Sequence, residues 1–550
     1  MPTITVSTDV AQNVVNVVAK WVGPMELSEA FDDDAAWYAL NLRNKSIAVK
    51  GNEDGTTAVA LNNSYNAKDV LAGDIWAFKG NNFGGFSIYN KKTGLYMKAP
   101  VDIANDEVTL SAEENTDWII VPSQSTAFPD ETGAGTGFML QIKGDDPLNT
   151  LNQYGGENSA ILKVWHSQNN YTDKGGAFQV QKPNDFVVDA IKAITELPEG
   201  IVYSLPADLK DEISNKVEDA DALSLAELAE IYDEAVEGQI QPTTGFYRLV
   251  NKQYNEKLGI DKDGVFKAST DDLGTIFKLT VEGENVKLAA QGLEIPMMET
   301  SAVTKGAEEG ITGTLVHAAG TATAAFDFRG DGEHDYPTYC AMHMRANKEL
   351  VGWESAADAS QWYLYPVESV QYPLNLVEGT QDAYATMYLP FTVSVEGADV
   401  FTIEYVDGDY AQLKAVNGGV VPAGSPVILK GGPNGAFLVP SLEDGEPLED
   451  NILLGTYLEI ATPANGMIFS GTPGEIGFYK NAKDAVPANK AYIVDGEGNS
   501  NKFILNFSAT GIAGAKVDLK NATIYDLQGR RVEKAGKGIY IVNGKKVELK

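Results

Sequence analysis

The sequence predicts a mainly β chain: two β-trefoils separated by a small helical spacer, then a β-sandwich-like region and a short β tail. Three observations carry this. A β-rich phrase, a variable loop and a closing strand opened by an aromatic recur three times in the first 180 residues. The same sentence begins again near residue 244. The 54 glycines and 23 prolines recur at turn positions between short apolar runs, as in all-β modules.

Residues 1–35 are a polar lead-in with one apolar stretch, Val14 to Val22. Residues 36–183 hold the first array. Its openers are Trp37-Tyr38-Ala39-Leu40-Asn41-Leu42, Gly85-Phe86-Ser87-Ile88-Tyr89-Asn90 and Gly137-Phe138-Met139-Leu140-Gln141-Ile142. Its closers are Trp76-Ala77-Phe78, Trp118-Ile119-Ile120 and Phe178-Gln179-Val180. Threefold repetition of a roughly 40–60-residue β unit points to a trefoil. The closers lie 42 and 60 residues apart (118 − 76 and 178 − 118), so the third unit carries a long loop around Ser123–Gly135. Such insertions are tolerated at a surface.

Residues 184–241 change period. Phe186, Ala190, Ile191 and Ile194, then Leu209, Ile213 and Val217, then Leu225, Leu228, Tyr232, Ala235 and Val236 recur at helical spacing. Pro198 and Pro206 punctuate the helices, and Ser224-x-x-Glu227 predicts a capping box. Residues 242–368 restart the β sentence. Gly245-Phe246-Tyr247 opens it and Ile276-Phe277 closes the first unit. Val286-Lys287-Leu288 opens the second unit, with Phe326-Asp327-Phe328 as its expected closer. Tyr339-Cys340-Ala341 is the expected third opener, closed by Gln361-Trp362-Tyr363-Leu364. Trp165-His166-Ser167 precedes the Phe178 closer as Trp353-Glu354-Ser355 precedes the Trp362 closer.

Residues 369–508 contain another echo. Val421-Pro422-Ala423-Gly424 leads into Val427-Ile428-Leu429, and Val486-Pro487-Ala488-Asn489 leads into Ala491-Tyr492-Ile493. Proline before each strand fits a strand-start position. Tyr384 to Phe391 reads as a strong strand, and short antiparallel strands predict a sandwich. Residues 509–550 form a small β tail, with Gly538-Ile539-Tyr540-Ile541-Val542-Asn543-Gly544-Lys545-Lys546-Val547 as a hairpin on an Asn-Gly turn.

A formal charge of −35 repels phosphate backbones and anionic lipid, which excludes nucleic acid and membrane surfaces as expected partners. The charge serves solubility, with weak cation binding by exposed carboxylates as the alternative. The single cysteine, Cys340, permits no intrachain disulfide. No apolar run is long enough for a transmembrane helix. The N-terminus has neither a basic n-region nor an apolar h-region, as in a chain that is not exported or a mature chain begun with a start Met.

The tail phrase Tyr525-Asp526-Leu527-Gln528-Gly529-Arg530-Arg531-Val532, with Gly538-Ile539-Tyr540-Ile541-Val542 and Lys546-Val547, resembles the C-terminal sorting tails of Bacteroidota secreted proteins. That resemblance implies export, hence an extracellular or cell-surface location. The two arrays look like ricin-type β-trefoils by their repeat and aromatic closers. Gln361-Trp362 is adjacent where that family has Gln-x-Trp, and the other closers keep the aromatic and lose the Gln. The stretch 384–494 is similar to β-sandwich modules that accompany such trefoils in Bacteroidota surface proteins.

A trefoil sugar site is shallow: an aromatic face stacks on a pyranose while Asp, Asn or Gln grips hydroxyls. The candidates are Asn152, Gln153, Tyr154, Trp165 and His166 in the first array, with Trp353 and Glu354 as counterparts in the second. The competing reading puts Trp165 and Trp353 in the cores, where large aromatics dominate burial. Trp76, Trp118, Phe178 and Trp362 are expected in the core. Asp331-Gly332-Glu333-His334-Asp335, Cys340 and His343 are donors of metal type without the tight pairing of a zinc site. Asp261-Lys262-Asp263-Gly264 and Asp407-Gly408-Asp409 lack the full calcium-loop pattern and are expected to be turns. No Gly-x-Ser-x-Gly elbow, Walker loop or His-Glu-x-x-His occurs. The expected function is therefore a non-catalytic binding protein without a cofactor, with a glycan or surface protein as partner. A structural or adhesive protein that self-associates or docks others is the alternative, and an accessory region of a secreted glycoside hydrolase the third.

Overall fold

The computed structural model describes residues 23–43, 66–102, 107–132, 136–144, 149–154, 161–166, 171–300, 302–329, 340–472, 474–480, 482–507 and 532. It also gives the backbone of Thr3–Asp9, Val14–Lys20, Ile47–Lys50, Ala60–Asn62, Ile524–Tyr525, Gly538–Val542 and Lys545–Leu549. The architecture is mainly β. The chain forms two compact units, Met1–Glu199 with Ser204–Gln239, and Gly200–Tyr203 with Ile240–Lys550.

In the first unit six antiparallel strands pair in a closed cycle. Trp76–Asn81 pairs with Gly85–Asn90, which meets Trp118–Pro122. Trp118–Pro122 pairs with Phe138–Ile142, which meets Phe178–Gln181. Phe178–Gln181 returns to Ala39–Leu42, and a bridge at Tyr38 and Trp76 completes the cycle. Three of these junctions are single aromatic pairs: Tyr38–Trp76, Phe86–Trp118 and Phe138–Phe178. All six rings are buried, so the opener and closer aromatics are the core of the ring. Each repeat also carries a hairpin, at Ile47–Lys50/Ala60–Asn62, Leu95–Lys98/Thr109–Ser111 and Asn149–Tyr154/Ile161–His166. Gly85 opens the second repeat at φ +92°, and a Cβ there would lie 2.1 Å from the Thr116 carbonyl oxygen. Neither demand can be met by a residue with a side chain.

Helices Pro183–Thr195, Ala207–Lys216 and Leu225–Glu237 bury Val187, Ile191, Ile213, Leu228 and Tyr232 in one cluster with Ala39, Val70 and Ile75. The helical segment thus shares a core with the first array. Its capping box is formed: Glu227 N donates to Ser224 Oγ at 3.3 Å, and Ser224 N donates to the Glu227 carboxylate at 2.8 Å. The bonds that Ser224 N and Ser224 Oγ donate to the Glu227 carboxylate hold it below its ordinary pKa.

The second unit repeats the pairing order of the first. The cycle runs Gly245–Asn251, Phe277–Glu282, Asn285–Ala290, Gly313–His317, Ala324–Asp327, Trp362–Pro366 and back to Gly245–Asn251. The corresponding junctions are Tyr247–Phe277, Val286–Gly313 and Ala324–Trp362. This corrects the sequence reading by one strand. The closer of the second repeat is Gly313–His317, not Phe326-Asp327-Phe328, and the third opener is Ala324–Asp327. The strand Ala341–Met344 follows as part of the hairpin with Leu350–Trp353. The cause is an aromatic supplied from elsewhere. Gly313 stands where the first ring has Trp118, and a Cβ on it would lie 2.7 Å from the buried Phe328 ring.

Phe246 and Ile276 also join a core with Val370, Tyr372, Met387, Val393 and Leu438, so the second array and the region after residue 369 are packed together. That region has a four-stranded and a ten-stranded sheet. The Val-Pro-Ala echo becomes one turn used twice: Gly424 (φ +69°) and Asn489 (φ +59°) both take the left-handed conformation that Gly and Asn adopt most readily. In the ten-stranded sheet, Lys502–Asn506 lies between Tyr410–Ala415, to which it is parallel, and Glu475–Lys480, to which it is antiparallel. The tail strands Ile524–Tyr525, Gly538–Val542 and Lys545–Leu549 form a three-stranded antiparallel sheet.

Candidate functional site

The candidates of the first array lie on the hairpin Asn149–Tyr154/Ile161–His166, in the register Thr150–Trp165, Asn152–Lys163 and Tyr154–Ile161. Leu151, Leu162 and Val164 enter the core and fix the hairpin's inner face. On the outer face Tyr154 is 43% and Trp165 44% exposed. Their ring centroids are 5.7 Å apart with planes inclined at 56°. The Lys163 ammonium stands 5.5 Å from the Tyr154 centroid. An isolated bridge brings Glu107 beside Lys163. Neither Lys163 nor Glu107 was identified from sequence; only the hairpin register places them beside the exposed rings.

Asn152 and Gln153 differ from expectation. Both are buried. Gln153 Oε1 accepts from Arg43 Nε at 2.5 Å. The Asn152 amide is pressed against Gly175 and Gly176, where a Cβ on Gly175 would lie 2.8 Å from Asn152 Oδ1. Gln153 ties the hairpin to Arg43, the Asn152 amide packs on Gly175 and Gly176, and neither faces solvent. The backbone of His166 ends the strand opposite Asn149; its side chain lies outside the described residues.

In the second unit Trp353 ends Leu350–Trp353, paired with Ala341, and is 40% exposed. The His343 ring is 5.9 Å from it, and His343 Nδ1 lies 2.9 Å from Ser360 Oγ. Burial, with the Arg345 charge behind it, pushes the His343 pKa down. Glu354 is half-buried beside Trp353. Trp165 and Trp353 occupy the same station: each lies on the outer strand of its third repeat's hairpin. By contrast Trp76, Trp118, Phe178 and Trp362 are fully buried.

Residues 331–335, with His334, lie outside the described residues. Cys340 is buried, and burial raises its thiol pKa. Asp261 Oδ1 accepts from Asp263 N and Val265 N at 2.9 Å each, and its Oδ2 pairs with Lys267 at 2.9 Å, so its oxygens tie a turn. Among the described residues no helix is long and apolar enough to cross a membrane.

No protein-family model matches the chain, and no curated protein does. Among solved structures it is similar to the designed 3-fold symmetric protein ThreeFoil, at 17% identity over 22% of this chain and 99% of that one, TM-score 0.19. It is similar to the Rhizoctonia solani agglutinin at 15% identity, over 23% of this chain and 99% of the agglutinin, TM-score 0.20. A Macrolepiota procera ricin B-like lectin, solved in complex with lactose, matches at 11% identity over 28% of this chain and all of the lectin, TM-score 0.21.

Proposed function

We propose that the chain is a non-catalytic glycan-binding protein built on two β-trefoils, secreted or held at a cell surface. Trp165 with Tyr154, and Trp353, are the stacking rings; His166 follows Trp165 in sequence as Glu354 follows Trp353. The observation that carries this reading is the exposure of Trp165 and Trp353 at matching stations, while the tryptophans of the ring junctions are sealed. An indole left in water forgoes the burial that stabilises a core, and its apolar face suits the apolar face of a pyranose. Export rests on the sequence of the tail.

On a glycan array, Trp165→Ala and Trp353→Ala each remove part of the binding, and together they remove most of it. Both variants unfold within about 1 kcal/mol of the parent, since the deleted rings are half in water. Absence of saturable binding to any glycan, or a double variant that binds like the parent, would refute the proposal.

A second reading, a structural or adhesive protein, has one observation of its own. Phe83 is 93% exposed at the tip between Trp76–Asn81 and Gly85–Asn90. The tip is rigid: Asn81 Oδ1 accepts from Phe83 N (2.9 Å) and Gly84 N (2.8 Å), and Asn82 bonds both N and O of Ile120. A preorganised exposed aromatic suits docking onto a protein. Ordered polymers in electron micrographs of the native material support this reading; monodisperse particles oppose it.

A further inference from the structure

We propose that the loop 28–36 is a lid made by the chain itself over a further glycan platform, Tyr89 with Tyr96, and that Phe31 sits where the sugar ring would stack. The inference rests on the glycan-binding reading above. Tyr89 and Tyr96 are direct cross-strand partners. In the second repeat they hold the station that Gln141 and Thr150 hold in the third, and Thr150 is the partner of Trp165. The place that adjoins the exposed tryptophan in one repeat is therefore aromatic, and covered, in another.

The cover imitates a ligand. The Phe31 ring lies over Tyr89 with centroids 4.9 Å apart and planes inclined by only 14°, the offset stack an apolar sugar face would adopt. It meets Tyr96 edge-on at 5.7 Å, and Tyr89 and Tyr96 meet at 4.9 Å and 62°. The rim supplies the polar groups a sugar needs. Lys79 Nζ is 2.5 Å from Glu114 Oε1, which also accepts from Ser87 Oγ at 3.0 Å. Lys79 Nζ lies 5.1 Å from the Phe31 centroid, so the rim group already reaches the occupant of the platform.

The loop is built to swing. Residues 28–36 belong to no strand or helix. Ser28 pins the base twice: its N donates to Phe78 O at 2.8 Å, and its Oγ accepts from Ala36 N at 2.9 Å. Beyond that base, Glu29, Ala30 and Asp32 to Asp34 are exposed, and Phe31 is the one large apolar side chain. Asp33 adds a long 3.9 Å contact to Lys91, and the Asp32 carbonyl accepts from Trp37 Nε1 at 3.2 Å. Three successive carboxylates draw the loop toward water, while the Phe31 ring and the Trp37–Asp32 hydrogen bond hold it down. A single stacked ring favours the closed state by about tenfold, so the lid weakens the apparent affinity of the platform by about that factor.

The test starts from the Trp165→Ala/Trp353→Ala chain on a printed array of mono- to hexasaccharides. Adding Phe31→Ser raises the residual saturable binding by about tenfold, and adding Tyr89→Ala to that chain removes the gain. If the Phe31→Ser chain keeps its circular dichroism and melting profile yet gains no binding, the lid is overturned. Should Phe31→Ser fail to fold, Phe31→Leu in the same background decides: it removes the aromatic stack and keeps an apolar side chain in its place. Binding rising by about tenfold then supports the lid, and unchanged binding overturns it. Failure of the glycan-binding reading shows separately, as a parent chain whose array signal is absent or indifferent to Trp165→Ala and Trp353→Ala.

Discussion

Trp362→Ala lowers the stability of the second unit by about 3–5 kcal/mol. The ring is fully buried, and its Nε1 donates to the Met342 carbonyl at 2.9 Å. Alanine leaves a cavity in the core cluster that also holds Leu249, Phe277, Phe326 and Leu364, and orphans the Met342 carbonyl. Trp118→Ala is the same experiment in the first unit, where the indole donates to the Met97 carbonyl at 3.0 Å. The two substitutions move different transitions in urea unfolding followed by circular dichroism. Trp353→Ala, in the same unit as Trp362, is the internal control and stays close to the parent. A Trp362→Ala cost below about 1 kcal/mol would show that the ring junction does not carry the unit's stability.

Lys490→Met works in the opposite direction. The Lys490 ammonium donates to Tyr372 Oη at 2.6 Å and stands 4.5 Å over the Tyr372 ring. Tyr372 is itself buried, and its hydroxyl donates a hydrogen bond to Thr386 O at 2.7 Å. Burial foremost, then the nearby Lys483 charge, push the Lys490 pKa down to about 8, and Asp271 only partly opposes them. The folded chain therefore binds this proton less tightly than the unfolded chain does. Stability is lowest below pH 8, rises as pH climbs from about 8 toward the ordinary lysine value of 10.5, and the full span amounts to about 3 kcal/mol. Methionine fills similar space without charge. It stabilises the unit by about 2 kcal/mol at pH 7, and that advantage shrinks as pH passes 8. Melting curves at pH 7 and pH 9.5 check both halves. A variant that is less stable at pH 7, or an advantage independent of pH, would contradict this account.

The mainly β character was legible because alternation and turn residues are local. The helices were legible for the same reason, down to the Ser224–Glu227 box. Five of the six ring closures are announced by an aromatic, and the sixth is silent because Gly313 cedes its space to Phe328. That fact exists only once the strands have paired. The candidate site was legible in its tryptophans but not in their exposure, since one residue type serves both the sealed junctions and the open hairpins. Asn152 and Gln153 were misplaced because their neighbours are remote: Gln153 answers to Arg43, 110 residues upstream. The Phe31 contact was invisible because the lead-in has no period of its own.

The place of Lys502–Asn506 in its sheet sets a timetable for synthesis. This strand is an interior member, so until it arrives the sheet exists as two fragments with facing open edges, along Tyr410–Ala415 and Glu475–Lys480. The ribosome must add 91 residues after Ala415 before Asn506 exists (506 − 415). At ~5–20 residues per second the first edge stays open for roughly 5–20 s. An open edge is a template for any neighbouring nascent chain, so the last strand of this sheet to be made is the one that closes both edges to its own siblings on a polysome.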